Sequence, residues 1–175
     1  MSNIWSEYNK VVNVMDPANN TGTTGLANTT DIVHMENYKK CTFIIHTGAS
    51  AANTPVVTVL AGENNTTATT AIAYKYRTQI AGTGGASGTT GSDVPSALTD
   101  ATSAGFSMTT AKAGGVYIIE VDPSTAAAAD TTDQTYDHVK MTLTNSSTAA
   151  TQYYGVLAIL SEPRYPQAIL QIAID

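Results

Sequence analysis

A single cysteine, Cys41, excludes an intrachain disulfide, so no covalent staple holds this chain. A fold without disulfides suits a reducing compartment, and folding in a reducing cytosol is the expectation. Cys41 precedes the apolar run Thr42–Ile45, where a free thiol acts as a small buried hydrophobe rather than a nucleophile. Charge is scarce too. Only 13% of the residues are charged, about half the share of an average soluble domain. Basic charge is the scarcest, with 8 Lys and Arg against 14 Asp and Glu, a net charge of -6 and no run longer than Lys39-Lys40. Phosphate recognition needs clustered cations, so no nucleic-acid partner is expected. No apolar stretch reaches the length of a membrane span, and Met1–Lys10 lacks the basic-then-apolar order of an export leader. No membrane partner is expected either.

Residues that do chemistry are equally thin. His34, His46 and His138 stand at no metal-ligand spacing from one another or from Cys41. Asp137 and His138 could be grouped with one of many serines, but no Gly-x-Ser-x-Gly elbow supports a nucleophile. The glycine-rich stretch Ala81–Ser92 does not end in the Lys-Ser or Lys-Thr of a phosphate loop, and no helix follows it. Glu120, Asp122, Asp130, Asp133 and Asp137 form the best candidate for calcium, yet their spacing is not that of an EF-hand, and acidic loops are commonly just solvated. The chain is therefore expected to be neither an enzyme nor a cofactor carrier.

What fills the sequence is strand. Cys41–His46, Val56–Leu60, Ala71–Arg77, Val116–Val121, Val139–Thr144 and Tyr153–Leu160 are rich in β-branched and aromatic residues and are separated by Thr/Ala/Gly/Asn turns. In Ala71–Arg77, Ile72, Tyr74 and Tyr76 alternate with Ala73, Lys75 and Arg77, the mark of a sheet with one wet face. Ile32–Met35 and Ser103–Thr109 are weaker strands, and 123–133 is a helical turn or a loop. Val139–Thr144 and Tyr153–Leu160 are candidates for one hairpin.

About eight to ten strands without a strand-helix-strand rhythm predict an all-β, antiparallel β-sandwich, jelly-roll-like in preference to immunoglobulin-like. Residues 1–30 are expected to form an extended N-terminal arm lying on this domain or on a neighbour, and residues 31–175 one sandwich domain. Within it, 81–103 is an exposed loop and 167–175 a C-terminal strand or tail. Trp5, Tyr8, Val11, Val12 and Val14 in the arm, with Arg164 and Tyr165 between two prolines, are the candidate interface residues.

Tyr38–Gly48, Ala71–Arg77, Gly115–Asp122, Asp137–Thr144 and Ala158–Tyr165 together resemble small β-rich proteins of tailed-bacteriophage head modules. The resemblance spans roughly 36–166 and is one of strand order and flavour. It implies a head decoration (cement) protein on the outside of the virion capsid. Such a protein would clamp neighbouring major capsid protein subunits, as a homo-oligomer (trimer or dimer). A carbohydrate-binding or adhesin-type sandwich displayed on a virion is the alternative. It would draw on Tyr74, Tyr76, Tyr153 and Tyr154 for an aromatic cleft.

Overall fold

A computed structural model of the chain describes residues 5–19, 25, 27–50, 54–79, 94–108, 115–131, 136–146 and 152–164. A short helix α1 (Trp5–Tyr8) leads into β1 (Asn9–Asn19), β2 (Ala27–Thr29), β3 (Val33–His34), β4 (Tyr38–Ser50) and β5 (Val56–Gly62). Then come β6 (Ala68–Ile72), β7 (Tyr74–Gln79), β8 (Thr99–Ala101), β9 (Phe106–Ser107) and β10 (Val116–Val121). Helix α2 (Pro123–Ala128), β11 (His138–Thr144) and β12 (Gln152–Pro163) complete the order.

Two antiparallel sheets form, in the orders β1-β12-β4-β10-β7-β8 and β2-β11-β5-β6, with β3 on β11 and β9 on β5. The pairing is nested: β1 with β12, β2 with β11, β4 with β10, and β5 with β6. The pairs β12 with β4 and β11 with β5 then close the two sheets. That is the pattern of one long antiparallel ribbon rolled over itself, a jelly roll, in which β7 and β8 extend one edge. The fold class read from strand spacing is the fold found.

Alternation fills the space between the sheets. Phe43, Ile45, Val57, Val59, Ile119, Met141, Leu143 and Leu160 are fully buried. Two tyrosines pin one sheet to the other. The Tyr74 hydroxyl on β7 donates to the Val57 carbonyl at 2.6 Å, and Asn28 on β2 donates to the Tyr154 hydroxyl on β12 at 2.7 Å. Burial pushes both phenols up, Tyr154 to about 12. Buried hydroxyls without partners would cost stability; these have them.

Several expectations need correction. Val139–Thr144 and Tyr153–Leu160 are not a hairpin, because β11 and β12 lie in different sheets. Nested pairing sends β11 to β2 and β5 and sends β12 to β1 and β4, in opposite layers. Ala71–Arg77 is not one strand. The chain crosses between the sheets at Ala73, and Ile72 and Tyr74 keep their inward alternation through the crossing. Of the expected arm, Asn9–Asn19 lies on this domain, the first of the two placements expected, and does so as an integral edge strand: β1 runs along β12, and Val14 is buried in the core. The later part of 81–103 is also ordered by the sheet. Arg77 Nη1 donates to the Ser96 carbonyl, the Thr78 amide donates to Ser96 Oγ, and Ala101 is buried on β8. Residues 80–93 and the tail 167–175 lie outside the described residues.

The acidic stretch beginning at Glu120 has a local role at α2. Asp122 is its N-cap, accepting from the Ser124 amide at 2.8 Å and the Ser124 hydroxyl at 2.7 Å, with Pro123 entering the helix behind it. Those bonds to Ser124 hold the Asp122 carboxyl below its ordinary range. Because the folded value is the lower one, the cap's contribution is complete above the usual carboxylate range and fades as pH falls through the folded value. Asp122→Ala is expected to cost about 1 kcal/mol at neutral pH. Urea unfolding at pH 7 and at pH 3 checks this. A penalty of the same size at both pH values would contradict the cap.

Candidate functional site

The outer face of the β1-β12-β4-β10 sheet carries the most unusual surface among the described residues. Side chains that point away from the core on these strands fall into rows set by register. In one row Asn13 lies opposite Leu157, Leu157 opposite Ile44, and Ile44 opposite Ile118. In the next, Val11 lies opposite Ile159, Ile159 opposite Thr42, and Thr42 opposite Glu120. Leu157 is 42% exposed and Val11 48%, so an apolar strip faces outward across four strands, about 15 Å at the usual strand separation. An antiparallel sheet with water on one face normally alternates to polar there. Here Val11, Ile44, Ile118, Leu157 and Ile159 stand apolar beside Asn13, Thr42 and Glu120.

Charge borders the strip instead of interrupting it. Arg77 Nε approaches Glu120 Oε1 at 3.9 Å, Lys75 pairs with Asp100 at 2.5 Å and Lys40 with Glu162 at 2.5 Å. The Lys40–Glu162 hydrogen bond raises the ammonium's pKa and lowers the carboxyl's. Exposed pairs of this kind add little stability. Their effect is to neutralise the rim.

At the β1 end of the strip the sheet opens into a groove of about 400 Å³, lined by Met15, Pro17, Ile44, His46, Tyr153 and Leu157. Its floor depends on Gly155. Register shifts in β1 between Asn13 and Met15, and between Met15 and Ala18, fold Pro17 over β12. A Cβ on Gly155 would stand 2.9 Å from Pro17 Cγ and 3.0 Å from its Cα, so only glycine admits the overlap.

The expected interface residues divide over this surface. Trp5 and Tyr8 are 56% and 48% exposed on α1, which sits against the starts of β1 and the end of β12. Val11 belongs to the apolar strip. Val12 is half-buried against the core and Val14 lies within it, which removes Val14 from any contact with a neighbour: in a strand, alternate residues must face inward. Arg164 is exposed, and among the described residues no carboxylate holds its guanidinium; its backbone amide instead donates to the Asn37 carbonyl at 2.9 Å. Tyr165 lies outside the described residues. Leu157, Ile44, Ile118 and Ile159 were missed. Their strands were recognised, but contiguous apolar runs such as Phe43–Ile45 and Ile118–Ile119 hide which residues face outward, and which strands would stand side by side was not legible.

Other candidates disperse. Cys41 is fully buried, and desolvation pushes its thiol far up, away from nucleophilic chemistry. Glu120 faces Arg77, Asp122 caps α2 and Asp137 faces His138, so these carboxylates do not converge on one ion; Asp133 lies outside the described residues. Of the four tyrosines of the glycan alternative, Tyr74 and Tyr154 are buried and Tyr76 stacks on Phe106 with ring centroids 3.9 Å apart. Only Tyr153 offers an open ring at the groove. Compared with family models, with curated proteins and with solved structures, the chain matches none of them.

Proposed function

We propose that this chain is a structural virion protein that decorates the outside of a bacteriophage capsid and clamps neighbouring major capsid protein subunits. The observation that carries the reading is the apolar strip of Val11, Ile44, Ile118, Leu157 and Ile159 on the outer face of a sheet. Burying such a face against another protein gains roughly 25 cal/mol for each Å² removed from water. A patch of this kind on a lone domain marks an interaction surface. The net charge of -6 suits the exterior of a nucleic-acid container, where no phosphate has to be neutralised. The paired charges at the rim let the face approach a polar protein surface without leaving an ion unpaired. Single contacts can then be modest, because a symmetric shell repeats them.

Charge placed in the strip tests the reading. Leu157→Asp leaves the core untouched, since the side chain points outward. Attachment to expanded heads is expected to weaken by about 100-fold, the scale of a central hot-spot residue. Sedimentation of the variant with bare heads, alongside circular dichroism, measures both properties. Undiminished attachment by a folded variant would remove this face from the interface. Glycan binding by the isolated protein, lost on Tyr153→Ala, would favour the adhesin alternative.

A further inference from the structure

Two histidines and an aspartate from distant parts of the chain meet on the outer side of the other sheet. Strand β3 pairs with β11 so that His34 lies directly opposite His138, and the Met35 amide donates to the Asp137 carbonyl at 2.8 Å to lock the register. The two imidazoles stack with centroids 4.2 Å apart and planes 9° from parallel. One carboxylate serves both rings: Asp137 Oδ1 is 2.5 Å from His138 Nδ1, and Oδ2 is 3.2 Å from His34 Nε2. Glu36 Oε2 stands 3.6 Å from the same His34 nitrogen. Sequence spacing hid the group, because 103 positions separate His34 from Asp137.

We propose that His34, Asp137 and His138 bind a divalent transition ion of the zinc type, with Glu36 as the fourth donor. The ligating atoms of the first three all lie within 4.8 Å of one another. Donor atoms around a tetrahedral zinc stand about 3.3 Å apart, given bonds near 2.0–2.1 Å. Asp137 meets His138 through Oδ1 at 2.5 Å and His34 through Oδ2 at 3.2 Å, so small side-chain shifts bring the donors to that spacing. Capture requires the stacked rings to splay so that their in-plane lone pairs converge. The His34 side chain is 25% exposed and can turn, while His138 is held at 10%. Two imidazoles select zinc, cobalt, nickel or copper over calcium and magnesium, which prefer oxygen alone. Two carboxylates offset the charge of the ion. Coordination would staple β3 to β11 and so fasten the crossing from β2 in one sheet to β4 in the other.

Chelator-treated full-length protein, titrated with zinc or cobalt chloride, provides the test. Binding of about one ion per chain at micromolar concentration is expected. A rise in melting temperature and the visible absorption of four-coordinate cobalt should accompany it. Calcium and magnesium should do neither. His34→Gln should weaken binding by about 100-fold, and Glu36→Gln, at an exposed side chain, gives a second reading should His34→Gln not fold. His46→Gln, on the opposite sheet, should bind as the native protein does. Absence of zinc binding, or loss of binding in His46→Gln with none in the site variants, would overturn the proposal.

Discussion

Truncating Phe43 to alanine is expected to cost about 3–5 kcal/mol of folding stability, a large part of the roughly 5–15 kcal/mol that a domain has in total. Phe43 is fully buried at the middle of β4, which is paired on one side with β12 and on the other with β10. Removing its ring opens a cavity between two sheets that cannot close without shearing those pairings. Its neighbour gives the control. Ile44 points to the outer face opposite Leu157 and Ile118, so Ile44→Ala should cost only about 1 kcal/mol, the transfer of a half-buried side chain without a cavity. Urea unfolding of the two variants separates the faces. Equal losses would mean that β4 has been assigned the wrong inward set, and the apolar strip would fall with it.

Gly105→Ala is expected to cost about 2–4 kcal/mol although it adds one methyl group. Gly105 has φ of +80°, where an L side chain is strained, and its Cβ would stand 2.0 Å from the Val57 carbonyl oxygen. The clash is with the backbone of β5, so no rotamer relieves it. The neighbouring segment would move away, and with it Phe106, which lies on β9 opposite Val57. Phe106 stacks on Tyr76 with ring planes 3° apart, and its centroid is 6.1 Å from that of Tyr117. It therefore joins the edge of one sheet to the strands of the other. A fall in the urea midpoint together with loss of near-ultraviolet circular dichroism is the expected result. A change under about 0.5 kcal/mol would mean that this turn does not hold the sandwich edge.

The parts of the fold that were legible beforehand share one physical origin. The β-branched and aromatic runs Cys41–His46, Val56–Leu60 and Val116–Val121 are local features, and each one forms a strand along which burial alternates. Even Ile72 and Tyr74 were read correctly as facing one way, although the chain changes sheets between them. The failures share an origin too. β11 and β12 were joined as a hairpin because proximity in sequence is the only pairing cue a single chain offers. Residues 1–30 were set apart as an arm, and Asp16 and Pro17 lie in the part that β1 brings into the sheet. In the fold they sit at bulges that an edge strand tolerates.

The candidate surfaces repeat this division. Leu157, Ile44 and Ile118 were recognisable as members of three strands, and nothing local said which way they would point or that they would form one row. His34 and His138 looked isolated until β3 paired with β11. The amino-acid order alone determined the class of the fold, the facing of Ile72 and Tyr74 and the scarcity of reactive groups, since these depend on composition and on neighbours one or two positions apart. Only the tertiary structure decided which strands lie together, because nested jelly-roll pairing sets β1 beside β12 and β2 beside β11, far apart in sequence. Both candidate surfaces exist only across those long-range pairings.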